Sequence, residues 1–194
     1  RQWGGRMHED VVDAVQALIG SGRVDPDRIC IVGASYGGYE ALWSAVAEPK
    51  LYKCAVSVSG VSDLLEFVKW QRHFGSDSSR YKYWSKAVGD PDKDADMLAA
   101  KSPARAAANW TMPLLLIHGD KHPIVDVSQS RILKRALDAA HKPVRYIEIK
   151  GMEHGPGTDE ETTQVLTEID AFLAPYLRPA PAPAVAKTAE ASPR

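Results

Sequence analysis

The chain has 194 residues, 44% hydrophobic and 25% charged, the proportions of an ordinary globular domain with material for one core. A formal net charge of -1 provides no basic field for nucleic acid or anionic lipid. No apolar run reaches the ~20 residues needed to span a bilayer.

In chain order, Val11, Val12, Val15, Leu18 and Ile19 recur at helical spacing over His8 to Ile19, closed by Gly20 and Gly22. Asp25-Pro26-Asp27 reads as a turn. Arg28 to Ala34 carries Ile29, Cys30, Ile31 and Val32, a continuous apolar run suited to a strand buried on both faces, yet as the first strand it would form an exposed, apolar sheet edge. Gly33 to Gly38 is a tight turn and Tyr39 to Ala47 a helix; Cys54 to Val58 is a second strand. From Ser62 to Leu98 aromatic residues are scattered among polar ones and loops, a stretch that either lies over a site or packs as irregular short helices. A third strand covers Leu114 to Ile117, and a helix Val127 to Ala140 follows, with Asp126 or Ser128 as N-cap. A fourth strand covers Val144 to Ile149. The last helix, Thr158 to Leu177, opens on Thr158 with Glu161 three residues on, a capping-box pattern.

The expected organisation is a catalytic domain over residues 1–177 and a Pro/Ala-rich disordered tail over 178–194. Alternating strands and helices specify an α/β fold with a parallel sheet flanked by helices. Cys30 and Cys54 read as small buried hydrophobes, a disulfide between neighbouring strands being the less favoured alternative. The compartment, cytoplasmic or periplasmic/secreted, stays open. No metal-ligand or cofactor spacing is present, so neither a metal nor a cofactor is expected, and the oligomeric state stays open.

Functional residues of a parallel sheet gather beyond the carboxyl ends of its strands. Ser35, in Gly33-Ala34-Ser35-Tyr36-Gly37, stands at such an end, where flanking glycines permit the sharp strand-to-helix turn that exposes a nucleophilic hydroxyl. The helix start supplies the Tyr36 N–H as one oxyanion donor. His154, in Gly151-Met152-Glu153-His154-Gly155, follows the fourth strand on a glycine-flanked loop suited to a general base. His118, ending the third strand, reads as a core or supporting residue; His8, His73 and His141 read as surface residues.

Gly33-Ala34-Ser35-Tyr36-Gly37-Gly38-Tyr39 resembles the nucleophile turn of the prolyl oligopeptidase family of serine peptidases, in its acylaminoacyl-peptidase and dipeptidyl-peptidase-like branches. Val24 to Ile29, Gly60 to Leu64, Ser102-Pro103 and Pro113 to Gly119 are similar to the same family, so the likeness runs from about Trp3 to about Leu177. It implies the C-terminal part of an α/β-hydrolase-type catalytic domain, acting on peptides through an acyl-enzyme on Ser35 with His154 as base. It also implies further parts upstream: the rest of the hydrolase domain, with its second oxyanion donor, and a β-propeller.

One position departs from the family pattern. In His-Gly-x-x-Asp-x-x-Val the aspartate orients the catalytic histidine, and His118 to Val125 here places His122 at that point. A neutral imidazole does not stabilise an imidazolium as a carboxylate does. Asp120 and Asp126, on the same loop, are the candidates for a substitute acid, with a solvated turn residue and a helix N-cap as their respective alternatives. Trp70, Phe74, Tyr81 and Trp84, with Tyr36 and Tyr39, form either an apolar pocket or local packing. The expected function is a serine peptidase; a carboxylesterase, or an inactive pseudo-enzyme or binding module marked by His122, is the alternative.

Overall fold

A computed structural model describes residues 2–178. Among the described residues, four parallel strands form one sheet in the order β1-β2-β3-β4: Cys30–Ala34, Cys54–Val58, Leu114–Gly119 and Arg145–Ile149. Seven α-helices among the same residues surround it: α1 Arg6–Gly20, α2 Tyr36–Ala47, α3 Leu64–Arg72, α4 Ser79–Ala87, α5 Ala95–Ala100, α6 Ser128–Ala139 and α7 Asp159–Leu177; a 3₁₀ helix covers Pro103–Asn109. The expected elements are all present, their ends shifted by a few residues. The stretch after Ser62 folds as the short helices α3, α4 and α5, one of the two outcomes its composition left open. The expected tail lies outside the described residues, apart from Arg178.

Every residue of β2 and β3 is buried, because helices cover both faces and alternate side chains enter different cores. Leu114 and Leu116 of β3 pack with Leu42 of α2, Leu133 and Leu137 of α6, and Trp110. Leu115 and Ile117 turn the other way, with Val56 and Val58, onto Val165 and Phe172 of α7. The third core lies above the strand ends, where Tyr39, Leu64, Phe67, Val68 and Leu98 pack over the turns that carry the candidate site. Helix α7 opens as expected: Thr158 Oγ1 accepts the Glu161 N–H at 3.1 Å, and Glu161 Oε2 accepts the Thr158 N–H at 3.2 Å.

β1 is the exposed, apolar edge of the sheet, as expected for the first strand, although its run would suit burial on both faces: Val32 is 46% exposed while it sits in register with buried Val56. Two expectations are corrected. Cys30 and Cys54 form a disulfide, because the β1–β2 register puts them opposite each other with Cα atoms 4.8 Å apart, well within bridging range. His8 is not a surface residue but is buried, its Nδ1 2.6 Å from Glu40 Oε1.

Candidate active site

The turn between β1 and α2 holds Ser35 at φ 55°, ψ -117°, a conformation that L-residues rarely adopt. The Ser35 N–H donates to Val58 O at 2.9 Å, pinning the turn to the end of β2. A Cβ on Gly33 would lie 2.0 Å from Gly37 O, so the turn closes only with glycine there. Ser35 occupies the N-cap position of α2, yet its side chain makes no capping bond. The hydroxyl is thus left free at the positive end of a helix whose first N–H groups, Tyr36 among them, point outward.

The sequence missed a buried network behind this turn. Glu40 accepts from Ser44 Oγ at 3.3 Å and from the Tyr36 hydroxyl at 3.4 Å, besides its contact with His8. Burial and the Glu40 carboxylate push the Tyr36 phenol well above its usual range. The signal was present: a lone carboxylate beside Tyr39, Ala41 and Leu42 in an apolar helix needs a buried partner.

The loop after β3 is held from three directions. His118, fully buried, donates from Nε2 to Val125 O at 2.9 Å and accepts the Ser130 hydroxyl on Nδ1 at 2.8 Å. Gln71 of α3 donates to Ile124 O at 2.9 Å, and Arg80 of α4 donates to Pro123 O at 2.7 Å. Within this clamped loop His122 is 5% exposed. Its Nδ1 accepts the N–H groups of Ile124 at 3.1 Å and Val125 at 2.8 Å. Two donors on one lone pair fix the tautomer: the proton sits on Nε2, which is buried without a partner. Burial first, and then the neighbouring rings of His118 and His154, lower its pKa to about 4. At neutral pH, then, His122 is an uncharged ring that offers His154 no acceptor.

His154 is exposed, its ring centroid 4.8 Å from that of His122. It lines an open cleft with Glu153, Thr158 and Glu161; Ser35 is not in that lining. Asp120 Oδ1 accepts the Gly151 N–H at 2.7 Å, and Asp126 Oδ1 accepts the Ser128 N–H at 2.9 Å at the start of α6. Among the described residues, no hydrogen bond joins Asp120 or Asp126 to His154, or Ser35 Oγ to either ring.

The aromatic residues divide. Tyr36 meets Trp3 edge-on at 4.6 Å, and Trp3, Tyr39, Phe67 and Trp84 continue that cluster beside the Ser35 turn. Trp70 and Phe74 instead hold the Arg80 guanidinium, 4.8 and 3.9 Å from their ring centroids. The Tyr81 hydroxyl accepts from Arg72. No group of three or more His, Cys, Asp or Glu residues is placed to hold a metal among the described residues, and none of their helices is long and apolar enough to cross a membrane.

The model of the prolyl oligopeptidase family matches residues 1–180. Dipeptidyl aminopeptidase BIII of Pseudoxanthomonas mexicana is 31% identical over 178 residues, 91% of this chain and 26% of that protein. A puromycin-hydrolyzing peptidase of Mycobacterium tuberculosis superposes with a TM-score of 0.80 at 29% identity, over 94% of this chain and 27% of that one. An acylaminoacyl peptidase of Pyrococcus horikoshii shares the fold, with a TM-score of 0.81 at 24% identity over 94% of this chain and 30% of that one. The chain thus spans about a quarter of the length of the relatives it matches.

Proposed function

Because the chain belongs to the prolyl oligopeptidase family, we propose that it is part of a serine peptidase that cleaves peptide bonds through an acyl-enzyme on Ser35. The carrying observation is the Ser35 turn itself: a strained backbone at a strand end, with the hydroxyl spared from capping α2. In this reading His154 takes the Ser35 proton as Oγ bonds to the substrate carbonyl carbon. The Tyr36 N–H is half of the oxyanion hole. The C–N bond then breaks, the proton passes to the leaving amine, and water releases the acyl group by the reverse sequence.

His122 stands at the acid position. Asp120 and Asp126 each accept a backbone N–H, which speaks against either as its substitute. Dipeptidyl and acylaminoacyl peptidases among the relatives favour peptide over simple ester substrates. The working enzyme in this proposal includes the rest of the hydrolase sheet, paired on the exposed edge of β1, and a β-propeller. Relatives of which this chain covers 26% and 27% leave ample length for both.

A second reading, a binding module that retains the fold without turnover, is favoured by the uncharged His122, whose one acceptor nitrogen is already taken by the Ile124 and Val125 N–H groups. A fluorophosphonate probe separates the two. The peptidase reading expects a phosphonyl adduct located by mass on Ser35 and absent from Ser35→Ala, and faster turnover of peptide amides than the esterase alternative predicts relative to p-nitrophenyl esters. Folded protein that never forms the adduct, even with His122→Asp and with the rest of the hydrolase domain present, overturns it.

A further inference from the structure

The two candidate histidines ride on different loops, and one carboxylate joins those loops. Asp120 and His122 follow β3; Gly151 and His154 follow β4. The β3–β4 ladder ends with Gly119 opposite Ile149, but the loops remain tied beyond it. Asp120 N–H donates to Ile149 O at 3.1 Å and Lys121 N–H to Met152 O at 3.1 Å. The third tie differs in kind: the Gly151 N–H, in a turn with φ 87°, finds its acceptor in a side chain, Asp120 Oδ1 at 2.7 Å. Met152, next in the chain, is fully buried, and its carbonyl oxygen lies 2.1 Å from where a Cβ on Gly119 would stand. The two loops therefore pack as one body, with His154 only two residues beyond Met152 and its ring beside that of His122.

We propose that Asp120 is a positioning residue: its carboxylate latches the turn that carries His154 onto the loop that carries His122. Its work is to accept a backbone hydrogen bond, not to replace the missing catalytic aspartate. The significance for catalysis rests on reading His154 as the base; the latch itself does not. An acceptor at Oδ1 is all the latch requires, so asparagine can supply it, whereas an acid role requires the negative charge.

The test compares Asp120→Asn, Asp120→Ala and Asp120→Glu in the whole chain, each checked for folding by its melting transition. Amide exchange at Gly151 and the nuclear Overhauser contact between the His122 and His154 rings are read by NMR. Asp120→Asn is expected to keep both. Asp120→Ala is expected to speed Gly151 exchange by about tenfold or more and to weaken the ring contact. Asp120→Glu keeps the charge but moves the acceptor by one methylene, and so should fall between them. In a His122→Asp background the fluorophosphonate labelling rate should follow the same order, with Asp120→Ala slower by roughly 10- to 100-fold. A ring contact that survives Asp120→Ala, or one lost in folded Asp120→Asn, overturns the latch. Should Asp120→Ala not fold, Asp120→Asn and Asp120→Glu decide by the same two signals. Absence of Ser35 labelling in every variant counts against the peptidase reading alone, because exchange and ring contact report on the latch without turnover.

Discussion

Replacing His122 by aspartate should turn a poorly driven site into a competent one. In the native chain the ring's only lone pair is engaged by the Ile124 and Val125 N–H groups, and its other nitrogen bears a proton. Nothing there stabilises an imidazolium on His154. An aspartate at this position can take the two N–H donors on one oxygen and leave the other for His154 Nδ1–H. In a serine protease triad, replacing the acid by its neutral amide lowers kcat by about 10⁴, or roughly 5.5 kcal/mol of barrier, which bounds the gain. The shorter side chain falls short of the volume that the ring fills, so His154 must follow by a fraction of an ångström. Misplacement of about 1 Å costs on the order of 100-fold. The expected increase in the second-order rate of fluorophosphonate labelling is therefore about 10² to 10⁴, with His154→Ala removing it. Labelling of the native chain as fast as His122→Asp would refute the reasoning, by showing that an uncharged neighbour does not limit His154.

Gly33→Ala puts a Cβ 2.0 Å from Gly37 O, so the turn must open; a stability loss of about 3 kcal/mol or more and loss of Ser35 labelling are expected, by denaturant melts and probe mass. Reducing the Cys30–Cys54 bridge, which links residues 24 apart, should cost about 3 kcal/mol on the chain-entropy account, read as a lower melting midpoint with reductant that is absent from the Cys30→Ser, Cys54→Ser double variant. The pH dependence follows from His122, whose folded pKa is lowered from 6.5 to about 4. The unfolded chain then binds the extra proton between those values, so stability is full above pH 6.5 and falls as pH drops toward 4. Between pH 7 and pH 5 the loss is about 2 kcal/mol from this ring, with buried His118 acting in the same direction. Chemical denaturation at the two pH values checks this, and the difference should shrink in His122→Gln.

The elements were legible in the sequence because their causes are local. β2 and β3 read as mostly apolar runs, broken only by Ser57 and by His118 at the end of β3, since parallel strands between helices bury both faces. The start of α7 followed from Thr158 and Glu161, three residues apart, and the Ser35 turn from a steric demand between Gly33 and Gly37. The proposal of a vacant acid position likewise rests on sequence, on His122 within the run His118 to Val125. Tertiary structure alone decided who meets whom across the sheet. Strand register brought Cys30 against Cys54, although each looked like an ordinary core residue in its own run. Packing of α1 on α2 buried His8 against Glu40, 32 residues away. The approach of two loops gave Asp120 a partner at Gly151, 31 residues on, and set the tautomer of His122 through the fold of its own turn. Periodicity and turn chemistry act within a few residues. The protonation state and partners of a buried polar group depend on every element packed around it, and that information lies in the assembled fold.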